Sequence, residues 1–416
     1  MANTFKFGNG NWAVGKETVL AYNDQNNNFK PLPFSFTRNS TATYVDSDGL
    51  IKTAGQGEAR IDYLDNADGH LLLEPARANL VANSNAPSSG GSRTTKSGTT
   101  IKFVDGVTDV QSDKSILASG TPYTYYNNIT LETNTPYTFS VFVRKTESNP
   151  LSVNHVKIAS TNRFPSNYTI FSLDSGTVVS TEHDNATITS FNDGWYRITV
   201  TEVSTSAGQG FNFIVYPAVD SSGTNADITA VGQEILYTNG FQIEEGSYAT
   251  SYIPTEGSSV TRVAENIALT LPDVDSYNSS SGFSVISKFD IGAAGTGTSS
   301  PFLFFNDDTT NTYFGFGSNS TNLRCRLNLS GTAYLNTQQN APRTQKNSLF
   351  VSCDSSGWSQ GANGVTNFTG SNDASVFDKL YTILMTTNEI YGIIKITELL
   401  VYNTRLTDSE LETLTT

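Results

Sequence analysis

Charged side chains are scarce in this sequence. Asp, Glu, Lys and Arg make up 15% of its 416 residues, against about 25% in an average globular domain. Positive charge is scarcer still: 25 Lys and Arg face 39 Asp and Glu, a formal net charge of −14. That balance excludes the clustered cationic surface that nucleic-acid phosphates require. It also excludes a basic patch for docking on anionic membranes. Cysteine is nearly absent. Cys325 and Cys353 have no C-x-x-C spacing, so a zinc ribbon is excluded. Cys353 shares a strand face with Leu349 and Val351 and reads as a buried free thiol. The histidines, His70, His155 and His183, stand far apart with no metal-spaced pair, and each reads as a surface or turn residue. No apolar run approaches the ~20 residues that span a bilayer. The opening MANTFKFGNGNW has no apolar core of signal-peptide length. The expectation is a soluble chain made in the cytoplasm. No P-loop, dinucleotide fingerprint or G-x-S-x-G elbow occurs between a strand and a helix.

What fills the chain is Asn, Ser, Thr and Gly, poor helix formers that suit turns, with 11% aromatic residues, enough to build cores. Apolar residues alternate at Tyr137–Val143, Tyr196–Val200, Phe211–Val215 and Ile235–Ile243, with turns such as Asp193-Gly194 close by. Short alternating strands without intervening helical patterns predict an all-β fold of antiparallel β-sandwich domains in series. Asp48-Gly49 and Asp68-Gly69 are turn dipeptides, and Pro75 stops the run Leu71–Leu73. The pattern resumes after a linker at Tyr252–Gly257 and ends in a strand near Ile393–Tyr402 that is apolar on both faces, as if covered twice. Thr407 and Glu410 form a capping box, which predicts one short C-terminal helix. The expected division is an extended N-terminal attachment segment (1–30), a small β module (31–85) and two sandwich domains (86–257 and 265–416).

Three motifs carry a resemblance. The first is Arg38-x-Ser40-Thr41-Ala42-Thr43, followed by Gly49-Leu50-Ile51, Arg60-Ile61-Asp62-Tyr63 and Leu71-Leu72-Leu73-Glu74-Pro75. It resembles a pattern in the fibre, spike and tail-appendage proteins of tailed bacteriophages. The second, FNDGWYRITV (Phe191–Val200) with FQIEEGSYATSYIPTEG (Phe241–Gly257), is similar to a carbohydrate-binding-module-like jelly roll of phage appendages. The third, ELLVYNTRLTDSELETL (Glu398–Leu414), with Trp358 and the Asn363-Gly364 turn, is similar to laminin-G/concanavalin-type jelly rolls. The resemblance implies a homotrimeric structural part of a virion (head fibre, tail fibre or appendage), joined to other virion proteins by its N-terminus and touching host-surface polysaccharide. A decoration protein that binds no glycan and a polysaccharide depolymerase are the alternatives.

Few residues suggest chemistry. Tyr123, Tyr125, Tyr126 and Asn127 offer aromatic faces and an amide to a sugar, although tyrosines at this spacing also suit a sandwich core. Asp307 and Asp308 are the candidate ligands for a structural Ca²⁺; Asp46-x-Asp48-Gly49 lacks the rest of a calcium loop and reads as a turn. No other cofactor is expected. Phe5, Phe7 and Trp12 are candidate virion-attachment residues, with packing on the next domain as the alternative. Adjacent Glu244 and Glu245 point to opposite faces and cannot act as a glycosidase pair, and no enzyme is expected.

Overall fold

The computed structural model describes residues 4–21, 32–85, 94–101, 110–115, 124–126, 129–147, 149, 151–210, 213–226, 236–270, 282–291, 300–306, 313–318, 322–329, 332–342, 347–371, 382–386 and 392–416. The fold is all-β, built of antiparallel sheets with a single short helix, Asp408–Thr415, among the described residues. The chain divides into two units. The first comprises Met1–Ser47, Ala54–Ala76 and Val263–Thr416; the second comprises Asp48–Thr53 and Arg77–Arg262. The second is inserted in the sequence of the first.

This replaces the expected series of four segments, and the reason is strand pairing. Thr4–Gly8 lies along Ile394–Tyr402, register Thr4 to Tyr402. His70–Leu73 takes the other end of the same strand edge, with Leu73 opposite Ile394. Leu32–Thr37 pairs with Asn266–Thr270. Short isolated strands are not stable in water, so the N-terminal segment and the small module complete the sheets of the C-terminal jelly roll.

Two sheets of the first unit share one core. It includes Phe7, Phe34, Phe36, Leu71, Leu73, Phe289, Leu399 and Val401, along with Cys325 and Cys353, buried and not joined in a disulfide. Alternation sets the facing: Phe34 and Phe36 are buried while Ser35 and Thr37 are exposed. Leu400 points the other way and meets Ile286, Phe350 and Leu411 of the helix. The last strand is thus covered on both faces. The Thr407 hydroxyl accepts from the Glu410 N–H (3.3 Å) while the Glu410 carboxylate accepts from the Thr407 N–H (2.8 Å).

A buried ionic network stands beside that core. Glu265, fully enclosed, accepts from Arg38 Nη1 (2.9 Å), Arg60 Nε (2.7 Å), Arg60 Nη2 (2.6 Å) and the Glu74 backbone N–H (2.9 Å). Arg60 Nη1 donates to Glu74 Oε2 and to the Thr43 carbonyl, both at 2.8 Å. Burial alone would lower the Arg60 pKa, but Glu265 and Glu74 raise it above its ordinary value. Two cations and two anions lie together with their side chains almost wholly enclosed, and each makes several hydrogen bonds.

The second unit is also a sandwich. A six-stranded sheet and a five-stranded sheet enclose Phe139, Val141, Ile158, Phe171, Ile198 and Phe213, with Phe139 and Phe213 stacked at 5.2 Å. Gly240 (φ +61°) makes the bulge in Leu236–Glu245; a Cβ there would stand 2.7 Å from the Phe142 ring. The entering strand Arg77–Asn79 pairs with the leaving strand Val260–Arg262. Asn79 Nδ2 donates to the carbonyls of Phe241 (3.1 Å) and Ile253 (2.9 Å), and the Ser84 and Tyr252 hydroxyls are 2.7 Å apart. Tyr252–Gly257 is therefore no linker: Tyr252, Ile253 and Thr255 are buried and clasp the segment Asn79–Asn85.

Removing one partner of the ionic network leaves the others buried and uncompensated. Glu265→Ala is expected to lower the unfolding free energy of the first unit by about 3–5 kcal/mol, read as a shift of the urea midpoint. A change under about 1 kcal/mol would show that the two arginines find other partners.

Candidate functional site

The hairpin formed by Ile61–Asp62 and His70–Leu73 positions the site. Ile61 pairs with Leu71 and Asp62 with His70. Its loop is tied by Asn66, whose Oδ1 accepts the Asp68 N–H (3.0 Å) and whose Nδ2 donates to the Gly69 carbonyl (3.1 Å). Gly69 sits at φ +70°, as the Asp-Gly turn requires. Asp65 and Asp68 are exposed on this loop, while Asp62 and His70 are buried at its base.

Beside the hairpin is a cleft of about 580 Å³. Its lining includes Asp65, Asp68 and His70, with Lys288 and Asp290 from one strand and Asn347 from the next. The end of the helix contributes Thr415 and Thr416. Carboxylates, amides, hydroxyls and one ammonium group face a space the size of a small ligand. Such a set can exchange many hydrogen bonds with a polyhydroxylated molecule.

The charges are arranged in opposing pairs. Lys395 donates to Asp65 Oδ2. Burial works to raise the Asp65 carboxyl, but the charge and hydrogen bond of Lys395 hold it below its ordinary value. Burial pushes the Asp62 carboxyl up, against the N–H groups of Val45 (2.8 Å) and Leu64 (3.1 Å) that it accepts. Burial, aided by the charge of Lys395, pushes the His70 imidazole down to about 3. At neutral pH the ring is uncharged.

Of the residues proposed from sequence, none of those described lines the cleft. Tyr123, Asn127, Asp307 and Asp308 lie outside the described residues. Tyr125 and Tyr126 fall on the strand Thr124–Tyr126, at one edge of the five-stranded sheet of the second unit. Phe5 lies opposite Val401 in the first unit. Phe7 and Trp12, offered as attachment residues, pack in the core of the first unit: Phe7 is 1% exposed, its ring 5.9 Å from Trp12 and 5.2 Å from Phe34. The Trp12 indole N–H donates to the Asp68 carbonyl (2.8 Å). They hold the hairpin that builds the cleft. His70 and His183, read as surface or turn residues, are both buried. The missed signal was polar residues inside apolar strands: Arg60 and Asp62 flank Ile61, and His70 precedes three leucines.

No family model and no curated protein matches this chain. Among solved structures, the CBM40 of the Ruminococcus gnavus IT-sialidase, bound to α2,3-sialyllactose, is similar at 15% identity, over 34% of this chain and 85% of that one, with a TM-score of 0.28. The binding domain of botulinum neurotoxin DC in complex with SialylT is similar at 15% identity, over 36% and 39%, with a TM-score of 0.30. The binding domain of Paraclostridial Mosquitocidal Protein 1 shows 13% identity over 36% and 40%, with a TM-score of 0.30. The match spans about two fifths of each of these two toxin domains.

His183 of the second unit yields a pH dependence. Its Nδ1 is 2.7 Å from the Thr169 hydroxyl, and burial pushes its pKa down to about 4. A lowered histidine pKa means that the unfolded chain binds the proton first. Stability is therefore complete above about pH 6.5 and falls as pH drops toward 4, by about 1–2 kcal/mol after allowance for solvent screening. Urea unfolding of the second unit at pH 7 and pH 4.5 should show this loss, and His183→Gln should reduce it.

Proposed function

We propose that the chain is an adhesive structural component of a tailed bacteriophage particle, assembled as a homotrimer and exposed on the virion to touch host-surface glycan. The observation that carries the adhesive role is the cleft of the first unit, where Asp65, Asp68, Asp290 and Asn347 place carboxylate and amide groups around one polar space. Glycan hydroxyls both donate and accept, and planar carboxylate and amide groups answer both needs. The phage assignment rests on the signature motif from Arg38 to Pro75. The charged side chains of that motif build the network that closes the first unit, so the motif reads as a device of this architecture. A single glycan site of this kind is weak, and repeated copies on one particle raise avidity by about 10²–10⁴ without new contacts.

The test is a glycan array probed with the purified assembly and with an Asp68→Ala variant, which alters an exposed side chain of the cleft. Binding to a restricted set of glycans is expected, with at least a roughly tenfold loss in the variant, the cost of one hydrogen bond to a charged group. Silence across the array would favour a decoration protein. Release of reducing ends from host polysaccharide would make the chain a depolymerase. Imaging of particles with a labelled chain decides the virion assignment independently.

A further inference from the structure

The hairpin that lines the cleft carries a second constellation. Asp62, Asp65 and His70 each bring one ligand-capable atom to within 4.8 Å of the others. The side chains of His70 and Asp62 are 2% and 7% exposed, and that of Asp65, at 45%, opens to solvent. His70 Nε2 is the informative atom. It is buried, it has no hydrogen-bond partner, and it faces Asp62 Oδ1 at 3.5 Å, while Asp65 Oδ1 stands 3.5 Å from the other ring nitrogen, Nδ1. Buried polar atoms are nearly always satisfied. An imidazole nitrogen set 3.5 Å from a carboxylate oxygen, with no hydrogen bond between them, leaves room for a positive centre. Metal–ligand bonds of about 2.0–2.2 Å in a tetrahedron put neighbouring ligand atoms about 3.3–3.6 Å apart, and the observed separation falls in that interval.

We propose that Asp62, Asp65 and His70 bind a divalent transition-metal ion of the zinc class. An imidazole with two carboxylates suits such an ion, whereas calcium takes six to eight oxygens. The backbone N–H groups of Val45 and Leu64 on the Asp62 carboxylate orient it, as outer-shell partners of metal ligands do. Lys395 is the built-in competitor, because its ammonium group holds Asp65. The ion would sit at the wall of the cleft, with a tetrahedral position left for water or a ligand oxygen. The inference stands whatever the cleft binds.

The full-length chain, stripped with a chelator, is titrated with Zn²⁺ by calorimetry and with Co²⁺ by visible absorption. One ion per chain is expected, with a raised melting temperature and the intense cobalt band of a four-coordinate site. Asp65→Asn, at an exposed position that the fold tolerates, should weaken Zn²⁺ binding roughly tenfold or more. Lys395→Met should strengthen it. The absence of saturable binding of either ion overturns the proposal. So does Zn²⁺ binding whose affinity neither variant changes, since the ion then sits elsewhere.

Discussion

The Glu265 carboxylate is the meeting point of the first unit. It lies two residues after the chain returns from the inserted second unit, and it receives Arg38, Arg60 and the backbone of Glu74. Sequence separations of 227 and 205 residues are bridged by side chains that are wholly enclosed. A buried ion pair is weak support for net stability, because desolvation offsets much of the attraction. Its effect here is on specificity. The observed pairing joins two arginines to two carboxylates, and a slipped register would leave a buried charge uncompensated, which is strongly destabilising.

The same segment that supplies Arg60 and Glu74 forms the hairpin of the cleft. Asp62 and His70 occupy partner positions on its two strands, and Trp12 holds the loop through the Asp68 carbonyl. Rigidity therefore passes from the ionic network, through the short strands Ile61–Asp62 and His70–Leu73, to the exposed Asp65 and Asp68. A loop so tied loses little further freedom when a ligand binds, which favours affinity from few contacts. Fold and site are two consequences of one stretch of sequence.

Much of the architecture was legible in the sequence because it depends on local rules. Alternation at Tyr137, Phe139, Val141 and Val143, the Asn363-Gly364 turn with both residues at positive φ, and the capping box at Thr407 all follow from neighbouring residues. The two-faced final strand predicted its double covering, by the core on one side and Leu411 on the other. Strand partners were not legible. Alternation tells which face of a strand is buried and says nothing about which edge it joins, so Thr4–Gly8 and Leu32–Thr37 looked like separate pieces. The cleft was hidden for the same reason: Asp65, Asp290 and Asn347 become neighbours only through pairing across hundreds of residues. His70 looked like a turn residue because it follows Asp68-Gly69, although the three leucines after it mark a buried strand.

The first unit is one sandwich closed by Glu265, and the second is inserted in its sequence. Arg77 and Arg262 are paired across adjacent strands, so their neighbours Ala76 and Val263 are within reach of a short Gly/Ser turn. The most direct measurement is the unfolding transition of a chain in which residues 77–262 are replaced by such a turn. The account predicts a β-type circular dichroism spectrum and a single cooperative transition that Glu265→Ala shifts to lower urea. A shortened chain that shows no cooperative unfolding, or one whose midpoint is unmoved by Glu265→Ala, would contradict it.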